Sequence, residues 1–146
     1  MYRFLECKVG RYMTRDVVIV TRDASLRELE GMFATHDFNA FPVVEDGRMV
    51  GIVTKFDFLK AFAFTTRQMV PHYDELMSTI AGEVMTEAVV DVRPDAPLTR
   101  VLQLMVNLKA RSFPVIDREG HLAGIISRED IIRALNDSVQ QGESST

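Results

Sequence analysis

The period of the apolar positions changes along the chain in one order, and the order is then repeated. Residues 17–20 and 89–92 are short runs rich in β-branched side chains, which suit the pleated surface of a strand. Each run leads to an aspartate, Asp23 or Asp95, placed as a turn or helix-capping residue. Leu26, Leu29, Met32, Phe33 and His36 recur at helical spacing, as do Leu98, Val101, Leu104, Met105 and Leu108. That spacing predicts an amphipathic helix in each place. Residues 41–45 and 49–53 flank Asp46-Gly47, and residues 113–117 and 121–126 flank Glu119-Gly120, which predicts two β-hairpins. A second helix is expected after each hairpin, from about Lys55 and from about Arg128. The pattern predicts a mixed α/β (α+β) chain built as β-α-β-β-α, twice.

The two halves also align residue by residue. Met13-Thr14 falls on Met85-Thr86, Asp23-Ala24 on Asp95-Ala96 and Phe41-Pro42-Val43 on Phe113-Pro114-Val115, all 72 positions apart. After one extra residue in the second turn, Gly51-Ile52 falls on Gly124-Ile125 and Asp57 on Asp130. Such a duplication predicts pseudo-twofold symmetry. Copies of about fifty residues are near the lower limit for an independent core, so they are expected to bury their apolar faces against each other as one unit, with two functional sites in the groove between them. The copies span residues 9–62 and 82–136, with a connecting helical segment at 63–81. Pro71 is expected to break the helix that begins near Lys55, and Phe4, Leu5 and Val9 suggest that a helix precedes each copy. Phe56, Phe58, Phe62 and Phe64 are expected to pack on the connecting helix or on a second subunit. Residues 137–146 are polar, small and aperiodic, which predicts a disordered tail.

Composition narrows the function classes. The chain has 146 residues, 47% of them hydrophobic, and a net charge of -4. That balance argues against nucleic acid as the main partner, because backbone phosphates require a concentrated cationic face. Cys7 stands alone, and no apolar run is long enough to span a membrane, so a cytoplasmic protein without disulfides is expected. His36, His72 and His121 have no Cys or His at ligand spacing, so no metal site is expected. No nucleophile stands beside a base and no Walker-type glycine loop occurs, so no catalytic residues and no catalytic cofactor are assigned.

The chemistry concentrates where each hairpin runs into its second helix. Gly51-Ile-Val-Thr54-Lys-Phe-Asp57 and Gly124-Ile-Ile-Ser127-Arg-Glu-Asp130 both place a hydroxyl residue at a helix start and an aspartate three positions on. A capping box explains this spacing, since it stabilises any helix start. The same residues also suit a nucleotide. An ionised Asp can accept both hydroxyl protons of a ribose cis-diol, while Thr54 or Ser127 and the free N–H groups beside it can receive phosphate.

These repeats resemble CBS domains, and the pair resembles a Bateman module. The resemblance rests on a Met-Thr opening, a Phe-Pro-Val strand and Gly-x-x-Thr/Ser-x-x-Asp, each present twice, and covers nearly the whole chain. It implies clefts for AMP, ADP or ATP, and sometimes S-adenosylmethionine. Asp57 and Asp130 would then hold ribose, and Thr54 and Ser127 phosphate. Thr14, Val17 and Val18, with Thr86, Val89 and Val90, would line the adenine pockets. Three positions before the hairpin proline, where many nucleotide-binding relatives carry a basic residue, the second copy has Arg111 and the first Asn39. Arg is a permanently charged fork suited to phosphate oxygens, whereas Asn donates only a neutral bond, so the two sites are expected to differ. A surface ion pair is the other use for Arg111. Lys55 and Arg128 are further phosphate candidates. The resemblance also implies a homodimer that passes a nucleotide signal to a regulated partner. The alternative is an interaction or dimerisation module with vestigial clefts, which the Phe-rich helix and Asn39 favour.

Overall fold

A computed structural model describes residues 2–63 and 72–144. In chain order the elements are α1 (Tyr2–Glu6), α2 (Val9–Tyr12), α3 (Leu26–Thr35), β1 (Ala40–Glu45), β2 (Arg48–Thr54), α4 (Lys55–Lys60), α5 (Tyr73–Met77), α6 (Ala81–Val84), α7 (Leu98–Leu108), β3 (Ser112–Ile116), β4 (Leu122–Ser127) and α8 (Arg128–Ser144). Both hairpins form antiparallel pairs, β1 with β2 and β3 with β4. The first closes through Asp46 (φ 53°) and Gly47 (φ 78°), two successive left-handed residues that match the natural twist of a two-residue hairpin. Helix α3 opens on Ser25, whose hydroxyl accepts the Glu28 N–H, and α7 opens on Pro97; Asp23 and Asp95 lie in the preceding turns and do not cap.

The extended runs at 17–20 and 89–92 are not full strands. Only their last residues pair, Val20 with Val43 and Val92 with Val115, each as a single parallel bridge. The prolines of the Phe-Pro-Val motifs take part: the Val20 N–H donates to the Pro42 carbonyl and the Val92 N–H to that of Pro114. These runs also carry the chain between two compact units. A terminal unit comprises the chain up to Val17 and from Val90 onward, and a central unit spans Val18–Val89. Each unit therefore takes the opening of one copy and the hairpin of the other.

Each unit has its own core. Val9, Leu98, Val101, Val115, Ile126 and Ala134 are wholly buried in the terminal unit, and Leu26, Leu29, Phe41, Val43, Val53 and Ala81 in the central one. This corrects the expectation of a single core shared by two copies. Exchange of the openings makes each unit larger than one copy and lets it bury a core of its own.

Short helices stand at the opening of each copy: α1 ends ahead of residue 9 and α5 ahead of residue 82, while α2 and α6 form the openings themselves. Helix α4 ends at Lys60, well before Pro71; Pro71 and Phe64 lie outside the described residues. Phe58 packs on Phe33 and Phe62, with ring centroids 5.9 and 5.2 Å apart, whereas Phe56 is exposed. The disordered tail expected from residue 137 is a second correction, because α8 continues to Ser144. Ser138 is buried and its hydroxyl donates to the Ala134 carbonyl, and the Tyr12 hydroxyl donates to the Asp137 carboxylate at 2.9 Å. Tertiary anchors thus hold as helix a segment whose composition alone reads as coil.

Candidate functional site

Both units build the same junction. In the central unit β2 ends at Thr54 and α4 begins at Lys55, with Thr54 in extended backbone. The Asp57 N–H donates to the Thr54 hydroxyl at 3.0 Å, and the Thr54 N–H donates to the Asp57 carboxylate at 3.0 Å, closing a reciprocal capping box. In the terminal unit the Ser127 N–H and hydroxyl donate to Asp130 at 2.9 and 3.0 Å, and the Asp130 N–H donates back at 3.3 Å. Both aspartates are buried, each with 3% of its surface exposed. The capping reading of the motif is therefore present at both junctions.

The Met-Thr openings lie across the two glycines. Thr86 exchanges both backbone hydrogen bonds with Ile52, at 2.8 and 2.9 Å, and Thr14 does the same with Ile125. A Cβ on Gly124 would stand 2.5 Å from the Thr14 carbonyl oxygen; one on Gly51 would stand 2.7 Å from the Met85 sulfur and 2.9 Å from the Thr86 carbonyl. Each site thus draws on both copies, Thr14 with Ser127 and Asp130 in one unit, Thr86 with Thr54 and Asp57 in the other. Of the expected adenine-pocket residues, Thr14, Val17 and Val90 belong to the terminal unit, and Val18, Thr86 and Val89 to the central unit.

Further contacts on the carboxylates escaped the sequence reading. The Thr86 hydroxyl lies 3.1 Å from both oxygens of Asp57, and the Lys60 ammonium is 3.1 Å from Oδ1. Burial pushes the Asp57 carboxyl up, but bonds from Thr54, Lys60 and Thr86 outweigh it and hold the group below the ordinary carboxylate value. On Asp130 the corresponding cation is Arg133, 3.3 Å from Oδ1, whose Nη2 also donates to the Tyr12 carbonyl at 2.8 Å while its guanidinium lies over the Tyr12 ring. A Lys or Arg three positions after each aspartate was visible in the sequence as the signal for these pairs.

The phosphate candidates divide by unit. The Arg128 N–H donates to the Arg111 carbonyl, and the Lys55 N–H to the Asn39 carbonyl, so each basic helix start is tied to the strand entrance three residues before the proline. Arg111 and Arg128 are exposed, and so is Lys109, a left-handed residue (φ 53°) at the end of α7. Among the described residues none of the three has a carboxylate at ion-pair distance. The surface ion pair considered for Arg111 is thus not formed with them. The equivalent positions in the central unit are Asp37, Asn39 and Lys55, so the cationic set is confined to the terminal junction.

One finding bears on the histidines. The turn between β3 and β4 brings Asp117, Glu119 and His121 together, with ligand atoms within 4.8 Å of one another, a grouping that could hold a metal ion. His121 therefore has potential co-ligands, but Glu119 is exposed and the half-buried Asp117 already accepts the N–H groups of Glu119 and His121.

The repeated Met-Thr openings, Phe-Pro-Val strands and hydroxyl-to-aspartate junctions define a tandem CBS-domain protein. Comparison with known families agrees: the CBS domain model matches residues 9–64 and 81–137, and the chain belongs to that family. The chain is similar to protein MJ1225 of Methanocaldococcus jannaschii, at 29% sequence identity over 129 residues covering 86% of this chain and 46% of the relative. The solved structure of MJ1225 superposes with a TM-score of 0.81 and 26% identity, over 89% of this chain and 48% of that one. The chain spans about half the length of MJ1225. CBSX2, a CBS-pair protein of Arabidopsis thaliana solved in complex with AMP, matches at TM-score 0.75 and 25% identity over 89% of this chain and 96% of its own. The CBS pair of protein MJ0100, solved with 5′-methylthioadenosine and S-adenosyl-L-methionine, matches at 0.71 and 25%, over 90% and 98%. Among the described residues no helix is long and apolar enough to cross a membrane.

Proposed function

We propose that this protein is a regulatory module that binds adenosine nucleotides at the junctions of Asp57 and Asp130 and signals to a partner protein. The observation that supports this most is the double construction of one junction, with a buried aspartate three residues from a hydroxyl cap and a Met-Thr segment laid across the glycine. Relatives solved with AMP and with S-adenosyl-L-methionine support an adenosine-type ligand. In this reading Asp57 and Asp130 hold ribose hydroxyls. Thr54, Lys55, Ser127, Arg128 and Arg111 serve phosphate, and Thr14, Val17, Val18, Thr86, Val89 and Val90 serve adenine. The cations of the terminal junction, Lys109, Arg111 and Arg128, favour AMP, ADP or ATP there over S-adenosylmethionine, which carries no phosphate.

Calorimetric titration with adenosine, AMP and ATP tests the reading. ATP is expected to bind more tightly than AMP, and Arg111→Ala to reduce that preference by about tenfold, because a guanidinium gains a charge-assisted bond from each added phosphate. Adenosine affinity should change little. Equal losses for adenosine and ATP would show that Arg111 supports the fold and does not read phosphate.

A second reading, assembly through an apolar face, is favoured by the groove between α7 and α8. It has a volume of about 440 Å³ and is lined by Leu102, Met105, Val106, Ile131, Ile132 and Leu135, with Lys109, Ala110 and Arg128 also in its walls. Val106 and Ile132 are 69% and 64% exposed. A second copy of the chain is the occupant this reading names. Ile132→Glu is expected to convert a dimer to monomer in analytical ultracentrifugation, and a monomeric parent protein would dismiss this reading.

A further inference from the structure

The two junctions differ in how far their aspartates are already occupied. A carboxylate offers about four lone-pair positions, and a ribose cis-diol needs two of them. At Asp130 the capping donors of Ser127 both fall on Oδ2, and among the described residues Oδ1 carries a single contact, Arg133 at 3.3 Å. Arg133 does not lose its lodging if it yields that contact, because the same Nη2 is 2.8 Å from the Tyr12 carbonyl and its guanidinium lies over the Tyr12 ring. At Asp57, Oδ1 carries the Lys60 ammonium at 3.1 Å, and the Thr86 hydroxyl sits 3.1 Å from both Oδ1 and Oδ2. A hydroxyl spanning both oxygens takes the position of a diol hydroxyl. Its twin does not: among the described residues no hydrogen bond joins the Thr14 hydroxyl to Asp130.

We propose that the Thr86 hydroxyl is a built-in competitor for the ribose seat of Asp57, so that an adenosine ligand fills the Asp130 junction first and the Asp57 junction only after Thr86 is displaced. The inference rests on the reading above that these aspartates receive ribose. It adds an order of filling that the near-identical motifs do not reveal. A chain with two seats of unequal availability responds to ligand over a wider concentration range than one with two equal seats.

Adenosine is the suitable probe because it carries no phosphate and so bypasses Arg111, Lys55 and Arg128. In calorimetry, Asp130→Ala should leave only the weak Asp57 seat. Adding Thr86→Val to that variant should tighten adenosine binding by about tenfold, the cost of one charge-assisted hydrogen bond no longer broken on entry. Thr86→Ser, which keeps the hydroxyl, should give no such gain, and Asp57→Ala added to Thr86→Val should abolish it. Thr86→Ala repeats the test with a smaller side chain, and thermal melts verify the fold of each variant. An adenosine titration of the unaltered protein followed by backbone NMR needs no substitution: signals at Ser127 to Asp130 should shift before those at Thr54 to Asp57.

The proposal is overturned if neither Thr86 variant binds more tightly, if the gain survives Asp57→Ala, or if both junctions shift together. If any of these accompanies adenosine binding that Asp130→Ala abolishes, the order of filling falls and the nucleotide reading stands. If neither the parent protein nor any variant binds adenosine, both fall.

Discussion

Gly124→Ala should destabilise the protein by about 3 kcal/mol, at the upper end of what overpacking costs in a close-packed interior. The added Cβ would meet the Thr14 carbonyl oxygen at 2.5 Å, and that oxygen is held by the Ile125 N–H, so it cannot withdraw without breaking the bridge that pins the opening of the chain to β4. Gly51→Ala should cost less, about 1 to 2 kcal/mol. Its nearest obstacle is the Met85 sulfur, on a flexible side chain, although the Thr86 carbonyl at 2.9 Å still resists. Gly31→Ala has the opposite sign. Gly31 lies inside α3 with nothing within 4 Å of its missing Cβ, so alanine should stabilise the helix by about 0.5 to 1 kcal/mol. Urea denaturation of the three variants measures the ranking. A Gly124→Ala protein that unfolds at the parent midpoint would mean that the Met13-Thr14 segment is not fixed on the strand.

Those glycines show what was legible in the sequence and what was not. Gly51 and Gly124 stood out by recurring in one motif with Thr54 and Ser127, but the reason for them lies in the other copy's Met-Thr pair, which no local pattern connects to them. The hairpins were readable because Asp46-Gly47 supplies left-handed backbone between alternating strands, a signal contained in a few adjacent residues. Residues 17–20 and 89–92 have the composition of strands without forming full ones, since β-branched composition reports extended backbone and not whether a neighbour completes the ladder. Only Val20 and Val92 find one. The tail differs in the other direction: its polar residues suggest coil, yet Ser138 is buried and Asp137 is bonded by Tyr12, a residue 125 positions away. At the junctions the capping partners were visible at their three-residue spacing. The Thr86 hydroxyl on Asp57 was not, because it needs the exchange of chain openings between the two units.

Asp130→Ala should weaken binding of adenosine and AMP by about ten- to a hundredfold. The substitution removes a carboxylate able to accept both ribose hydroxyls, and hydrogen bonds to a charged group are worth roughly 1.5 to 3 kcal/mol. Asp130 also accepts the Ser127 N–H and hydroxyl, so loss of the cap could loosen the start of α8 and mimic a lost ligand contact. Asp130→Asn separates the two effects: its amide oxygen can still accept from the Ser127 N–H, but the side chain has lost its charge and half of its accepting edge. If Asp130 acts on ribose, Asn should lose nearly as much affinity as Ala while recovering most of the stability. If it acts only as a cap, the affinity of Asn should follow its stability back toward the parent value. Calorimetry beside urea denaturation of the same three proteins reads both quantities, and restored affinity in the Asn protein would return Asp130 to the role of a helix cap alone.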